Sequence, residues 1–257
     1  MRPNILTLDI ETSLMEVYSF AIKDQYIAPD QIKKDWEIIS FAAKWLHEPK
    51  AIQMDQSNHK EISLIKALWK LLNEADIIIT QYGKRFDIPA IHAKFLEYKM
   101  KKPASFQQID TKMLASKTFK LPSYSLEYMS EKFNARYKKL KHGKFPGKAL
   151  WIECSKGNLK AWKEMATYNV HDVLATEELY KNLAPWGTGI NFNIYEDSPS
   201  MRCSCGSTSY KRNGFFYSST GKFQRYSCKK CGAEARDRKS VLSKAKKASL
   251  KSEVKKY

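Results

Sequence analysis

The chain opens on an alternation, NILTLDIET, in which Leu6, Leu8 and Ile10 are apolar while Thr7, Asp9 and Glu11 are polar. Successive side chains of a strand point to opposite faces, so one face enters a core and the other carries two neighbouring carboxylates. Two further β-rich runs, EVYSFAIK (16–23) and EIISFAAKWL (37–46), are joined by a polar loop containing Pro29 and Asp30. Together the three runs predict an antiparallel meander. The period then changes: after Asn58 and Glu61, a capping-box-like start, Ile62, Ile65, Leu68, Trp69 and Leu72 recur at helical spacing. DIIIT (76–80) is a short apolar run that suits a buried strand parallel to the first. A second helix is predicted from Pro89 to Met100, and a fifth strand at FQQID (106–110).

Beyond this β-β-β-α-β-α-β order, SLEYMSEKF reads as helical, and KKLKHGKFPGKALW is a basic stretch broken by Gly143, Pro146 and Gly147, suited to a substrate-facing loop. A long helix follows from Asn158, with Leu159, Trp162, Ala166, Val170, Val173 and Leu174 on one side, and ends before Pro185. Gly187, Gly189 and Pro199 mark a linker. The resulting division is a domain over 1–185, a linker over 186–200, a cysteine module over 201–239 and a basic tail over 240–257. The fold class is α/β, a mixed five-stranded sheet flanked by helices.

The 257 residues suffice for one good-sized domain and a small appendage. The chain contains no apolar run of the ~18 residues that a membrane span needs, and its N-terminus alternates like a strand rather than a signal peptide. These features predict a soluble cytoplasmic protein with no membrane partner, and the compact size would suit a phage or mobile-element gene. Cys154 stands alone, whereas Cys203, Cys205, Cys228 and Cys231 fall within 29 residues. Those two pairs suit one structural Zn²⁺ better than secreted disulfides, with Gly206 and Gly232 favouring a tight knuckle after each. The net charge of +18 is concentrated at the C-terminal end: residues 201–257 hold 16 Lys or Arg against 3 acidic residues. A polyanion, above all nucleic acid, is the implied partner. Lys211, Arg212, Lys222 and Arg225, interleaved with aromatics, are the candidate nucleic-acid-binding residues.

Neighbouring carboxylates disfavour each other's ionisation unless a hard cation such as Mg²⁺ or Mn²⁺ neutralises them. Two more acidic positions join Asp9 and Glu11: Asp87 in QYGKRFDIPAI, and Asp172 in YNVHD, where Tyr168 lies one turn earlier on the same helix face. In this order and setting the motifs resemble the DEDD (DnaQ-like) 3′-5′ exonuclease superfamily, of ribonuclease H-like fold, over residues 1–185. The Y-x-x-x-D spacing resembles its DEDDy branch. The sister branch would place a histidine five residues before the aspartate, where this chain has Thr167, and His171 has the wrong offset. One departure is Gln81-Tyr82 before Gly83, where many relatives carry His-Asn.

The resemblance implies hydrolysis of phosphodiester bonds with two Mg²⁺ or Mn²⁺ ions held by Asp9, Glu11, Asp87 and Asp172. Tyr168 would orient the attacking water, and single-stranded 3′ ends would be the substrate. Asp110 is assigned a structural hydrogen-bonding role. The cysteine module is similar to the zinc ribbon of some insertion-element transposases, with a first pair one residue shorter. A silent nucleic-acid-binding protein, an exoribonuclease and a transposase are the competing readings. DNA is the favoured substrate.

Overall fold

The alternating N-terminal segment becomes strand β1 (Ile5–Thr12), the middle strand of a five-stranded mixed sheet in the computed structural model, which describes residues 3–23, 25–140, 143–195, 197 and 199–251. β2 (Glu16–Val17) and β3 (Ile32–Lys34) form a separate two-stranded ribbon. On one side of β1 lies antiparallel β4 (Ile38–Trp45), followed by antiparallel β5 (Ile52–Asp55). On the other side lie β6 (Ile77–Thr80) and β7 (Gln107–Asp110), both parallel to β1.

The meander therefore exists, but not from the expected strands. Of EVYSFAIK only Glu16 and Val17 are extended in a pair, and Phe20 and Ile22 stand fully exposed. The third meander strand is Ile52–Asp55, paired Ser40 to Asp55 and Ala43 to Ile52. Four residues with two polar ones, IQMD, are too short to display an alternation.

α1 (Glu61–Glu74) and α2 (Asp87–Glu97) cover one face of the sheet, where Leu6, Leu8 and Ile10 pack with Leu64, Leu68, Leu72, Ile88 and Ile91. The capping box expected at Asn58 and Glu61 is absent: Lys60 occupies the cap position and offers no side-chain bond. The buried Glu61 carboxylate instead accepts from the Ile38 amide (2.8 Å) and the Tyr98 hydroxyl (2.7 Å), with the buried Lys94 Nζ at 3.5 Å. A carboxylate so surrounded is spared the cost of an unpaired buried charge.

Three short helices follow the sheet: α3 (Thr111–Thr118), α4 (Leu126–Phe133) and α5 (Ala149–Ser155). The basic stretch between α4 and α5 is irregular up to Lys148 and then helical; its Lys141 and His142 lie outside the described residues. The 25-residue α6 (Leu159–Leu183) crosses the second face of the sheet. Its buried stripe runs through Ala161, Met165, Tyr168, Asn169, Asp172, Val173, Thr176 and Leu179, whereas Leu159, expected to be packed, is exposed. Trp162 and Val173 of the expected stripe are buried, and the polar residues beside them are what apolarity does not reveal.

The chain divides into two compact units, Pro3–Asn182 and the segment from Leu183 onward. The second holds a three-stranded antiparallel sheet in the order β10-β9-β8, formed by β8 (Tyr210–Ser218), β9 (Gly221–Cys228) and β10 (Glu234–Arg236). A short helix, α7 (Lys244–Ser249), follows. Of the expected linker Glu196 and Ser198, and of the basic tail Ser252 to Tyr257, lie outside the described residues.

Candidate active site and cysteine centre

Three elements bring the acidic residues together. Asp9 and Glu11 lie on the face of β1 that turns toward α6, opposite Ala42 and Ser40 of β4. Asp87 opens α2 and is buried; its Oδ1 accepts from the Ile10 amide at 3.1 Å, which ties the second acidic segment to the first. From α6, Asn169 Nδ2 donates to Asp9 Oδ2 at 2.7 Å, and Ser40 Oγ lies 2.9 Å from Asn169 Oδ1. One turn of helix then places Asp172 beside Asn169 on the buried face.

Besides Asn169, two residues that the sequence reading did not single out complete the cluster. Lys139, from the irregular basic stretch, donates from Nζ to Asp172 Oδ2 at 2.8 Å, bonds Tyr168, and lies 4.9 Å from the centre of its ring. Trp151 of α5 bonds Glu11, and its ring meets that of Tyr168 edge-on at 6.3 Å. Nothing in KKLK distinguishes Lys139 from its neighbours. Asn169 had a signal, three residues before Asp172 on the same helix face.

The electrostatics are those of buried carboxylates crowded together. Removal from bulk water raises the Asp9 carboxyl well above its usual range, and Asp87, Glu11 and Asp172 raise it further. Glu11 is pushed up to about 8 by burial and then by Asp172, against the opposing effect of Lys139. Burial also lifts Asp87 to about 7, although the Ile10 amide resists it. Asp172 is raised by burial and partly relieved by Lys139. Its second oxygen, Oδ1, is buried with no hydrogen-bond partner. An orphaned carboxylate oxygen among like charges is the donor that a divalent cation satisfies, so these residues fit such an ion. Tyr168 is raised above an ordinary phenol by burial and by Asp172, and so stays protonated.

A pH dependence follows. Glu11 rises from an ordinary 4.5 to about 8 and Asp87 from 3.8 to about 7, so between pH 4 and 8 these two groups bind more protons in the folded chain than in the unfolded one. Stability falls with rising pH wherever the native state holds the extra protons. Thermal melts of protein freed of divalent ions by dialysis are expected to give a lower midpoint at pH 8 than at pH 5, with added Mg²⁺ restoring it. A midpoint independent of pH would show that the carboxylates are not coupled.

Around this cluster the loop before Asp87 is rigidly held. Tyr82 adopts a left-handed backbone (φ 69°), and both oxygens of Asp110 secure it by accepting from the amides of Tyr82 (3.1 Å) and Lys84 (3.2 Å). Asp110 also caps α3, accepting from the Met113 amide at 3.0 Å, which is the structural role expected of it. Lys112 Nζ sits 3.7 Å from the centre of the Tyr82 ring. His171 contacts the Lys138 carbonyl, as a hydrogen-bonded helix residue. Cys154 is a core thiol, pushed up to about 12 by burial.

In the second unit Cys203, Cys205, Cys228 and Cys231 place their sulfurs within 4.8 Å of one another, with Cys203 to Cys231 at 3.4 Å and Cys205 to Cys228 at 3.7 Å. A tetrahedral ion with sulfur ligands at about 2.3 Å sets its ligands about 3.8 Å apart, so the cluster fits a four-coordinate metal. Gly206 and Gly232 take left-handed backbones (φ 83° and 81°) and donate to the carbonyls of Cys203 and Cys228, closing the two knuckles. The shortened first pair thus still turns. Of the candidate nucleic-acid residues, Lys211 and Arg212 are exposed and Lys222 is half-buried. Arg225 is committed elsewhere: its Nε donates to the Asn213 carbonyl at 2.7 Å and its guanidinium pairs with Glu234 at 3.6 Å.

A family model described as the RNase_H superfamily matches residues 32–184, more than half of the chain. The chain belongs to the RNase H superfamily. This RNase H superfamily chain is similar in structure to the family B DNA polymerase from the hyperthermophilic archaeon Pyrobaculum calidifontis, with a TM-score of 0.51 and 11% identity. The likeness covers 72% of this chain and 25% of the polymerase, and at that identity it concerns the fold. No curated protein matches the chain. Among the described residues no helix is long and apolar enough to cross a membrane.

Proposed function

We propose that this RNase H superfamily chain is a metal-dependent 3′-5′ exonuclease of the DEDDy type, acting on nucleic acid with DNA favoured and single-stranded 3′ ends as substrate. Membership of the superfamily supports a nuclease-type function. The observation that carries the finer reading is that Asp87, Glu11 and Asp172 stand near enough to the buried Asp9 to raise its carboxyl, while one Asp172 oxygen has no hydrogen-bond partner. These four residues would hold Mg²⁺ or Mn²⁺. When bound, two such ions supply the positive charge that phosphodiester hydrolysis needs on its attacking and leaving oxygens.

The chain's own groups set the stage for that chemistry. Asn169 fixes the Asp9 carboxylate, the Ile10 amide fixes Asp87, and Trp151 fixes Glu11, so the donors cost little reorganisation on binding. Tyr168, held protonated, orients a water and does not deprotonate it. Water adds to phosphorus as the P–O3′ bond breaks, leaving a 3′-hydroxyl on the shortened strand and a nucleoside 5′-monophosphate. The cysteine centre would hold one structural Zn²⁺, and its sheet, with Lys211, Arg212 and Lys222, would assist substrate binding.

End-labelled single strands of matched DNA and RNA, with either the 3′ or the 5′ end blocked, test the reading in the presence of Mn²⁺. A ladder of mononucleotide steps that a 3′ block abolishes is expected. Endonucleolytic cuts, strand transfer or binding without cleavage would overturn it. Tyr168→Phe is expected to lower the rate by about 10²-fold, near the lower end of what a positioned proton-handling group contributes. Unchanged single-turnover rates in that variant would remove the tyrosine from the mechanism.

A further inference from the structure

We infer that the β8–β9 hairpin carries a stacking platform for unpaired bases, formed by Phe215 and Tyr217 with Lys222 between them. The inference rests on the nucleic-acid substrate proposed above and deepens it by fixing the residues and the strandedness. Register supplies the first observation. Arg212 pairs with Tyr226 and Phe215 with Gln224, so one extra residue is inserted in β8 at Asn213-Gly214. Gly214 takes the left-handed backbone of such a bulge (φ 65°), and the bulge carbonyls are satisfied from β9, Asn213 by Arg225 and Gly214 by Gln224 Nε2 at 2.8 Å. The insertion flips every later side chain to the other face. Phe215 and Tyr217 therefore share a face with Arg212, and Phe216 does not.

The two faces are furnished differently. On one, the Arg236 guanidinium lies over Phe216 and Phe223 (4.9 and 4.3 Å), Phe216 remaining 41% exposed, and Arg225 is taken up by Asn213 and Glu234. On the other, Phe215 and Tyr217 are 37% and 66% exposed, and Lys222 Nζ lies 4.0 Å and 5.8 Å from their ring centres. Exposed rings at this density have no core to serve. The occupant is set by charge: residues 201–257 carry 16 basic against 3 acidic side chains, which selects a polyanion. Strandedness is set by spacing. Rings two residues apart along a strand lie about 7 Å apart, twice the ~3.4 Å rise per nucleotide of a duplex strand, so adjacent bases reach both rings only when pulled out of a stacked duplex. Lys222, flanked by both rings, then meets the intervening phosphate.

The experiment is fluorescence anisotropy of the full chain with labelled oligothymidylate and with a duplex, both capped by 3′ phosphorothioates so that binding is read without hydrolysis. Tyr217→Leu, with metal content and melting checked, is expected to weaken single-strand binding by about 5- to 150-fold, the range of one base stack, without changing its salt slope or the duplex affinity. Tyr217→Trp should restore single-strand affinity, and Lys222→Gln should flatten the slope by roughly 0.7. Undiminished single-strand binding by Tyr217→Leu, or an equal loss for duplex, would overturn the platform. A wild-type chain that degrades strands while Tyr217→Leu binds normally sinks the platform alone. A chain that binds through Tyr217 and never cleaves sinks the exonuclease reading alone.

Discussion

Asp172→Asn is expected to abolish cleavage while leaving the fold intact. The side chain is buried on α6, one oxygen spent on Lys139 at 2.8 Å and the other unsatisfied. Asparagine keeps the shape and removes the charge. Without that charge the site loses both the metal donor proposed above and the partner that holds Lys139 beside Tyr168. Removing one charge-stabilising group from an active site typically lowers turnover by about 10²- to 10³-fold, and a metal ligand belongs at the upper end or beyond. The same change relieves repulsion among the remaining carboxylates, so the variant should melt higher than the native chain when divalent ions are absent. Single-turnover cleavage with Mn²⁺ and paired melts measure both effects. Retained activity above a few per cent, or a lowered melting point, would remove Asp172 from the metal site.

Cys228→Ser is expected to dismantle the second unit and spare the first. Its sulfur is buried 3.7 Å from that of Cys205, and the sheet it anchors has aromatics exposed on both faces, with no apolar layer to replace the centre. Against the burial that raises it, the amides of Cys231 and Lys230 draw the Cys228 thiol down to about 6, which favours the thiolate that a metal requires. Structural zinc centres contribute roughly 10–16 kcal/mol of apparent binding energy to small modules, far more than a sheet of this size gains from packing. Zinc content should fall from one equivalent to near zero, and limited proteolysis should clip between residues 203 and 238 while Pro3–Asn182 resists. A variant that keeps its zinc and its protease resistance would refute the assignment.

The alternation of β1 is legible in the sequence because it rests on short-range periodicity, whereas the meeting of its acids with Asp87 and Asp172 is implied there only by the family resemblance of the motifs. Strand alternation alone puts Asp9 and Glu11 on one side of β1, and a single helical turn relates Tyr168 to Asp172. What escapes is set by partners distant in sequence. Ile52–Asp55 is a strand because β4 offers it an edge, and its own four residues carry no pattern. Glu61 reads as a cap but is drawn inward by the Ile38 amide, Tyr98 and Lys94. On α6 the side facing the sheet bears Asn169, Asp172, Thr176 and Glu177, so the buried stripe is also among the most polar, and apolarity finds only its Trp162 and Val173. Lys139 is one lysine among several until the chain folds it onto Asp172.

The bond from Asn169 to Asp9 spans 160 positions of sequence. Its consequence lies in biosynthesis. At roughly 5–20 residues per second, β1 leaves the ribosome many seconds before α6 exists, and for that interval Asp9 and Glu11 are ordinary surface acids on an unfinished sheet. Completion of the centre is thus timed by the last helix of the unit, and a polypeptide stalled before α6 lacks Tyr168, Asn169 and Asp172.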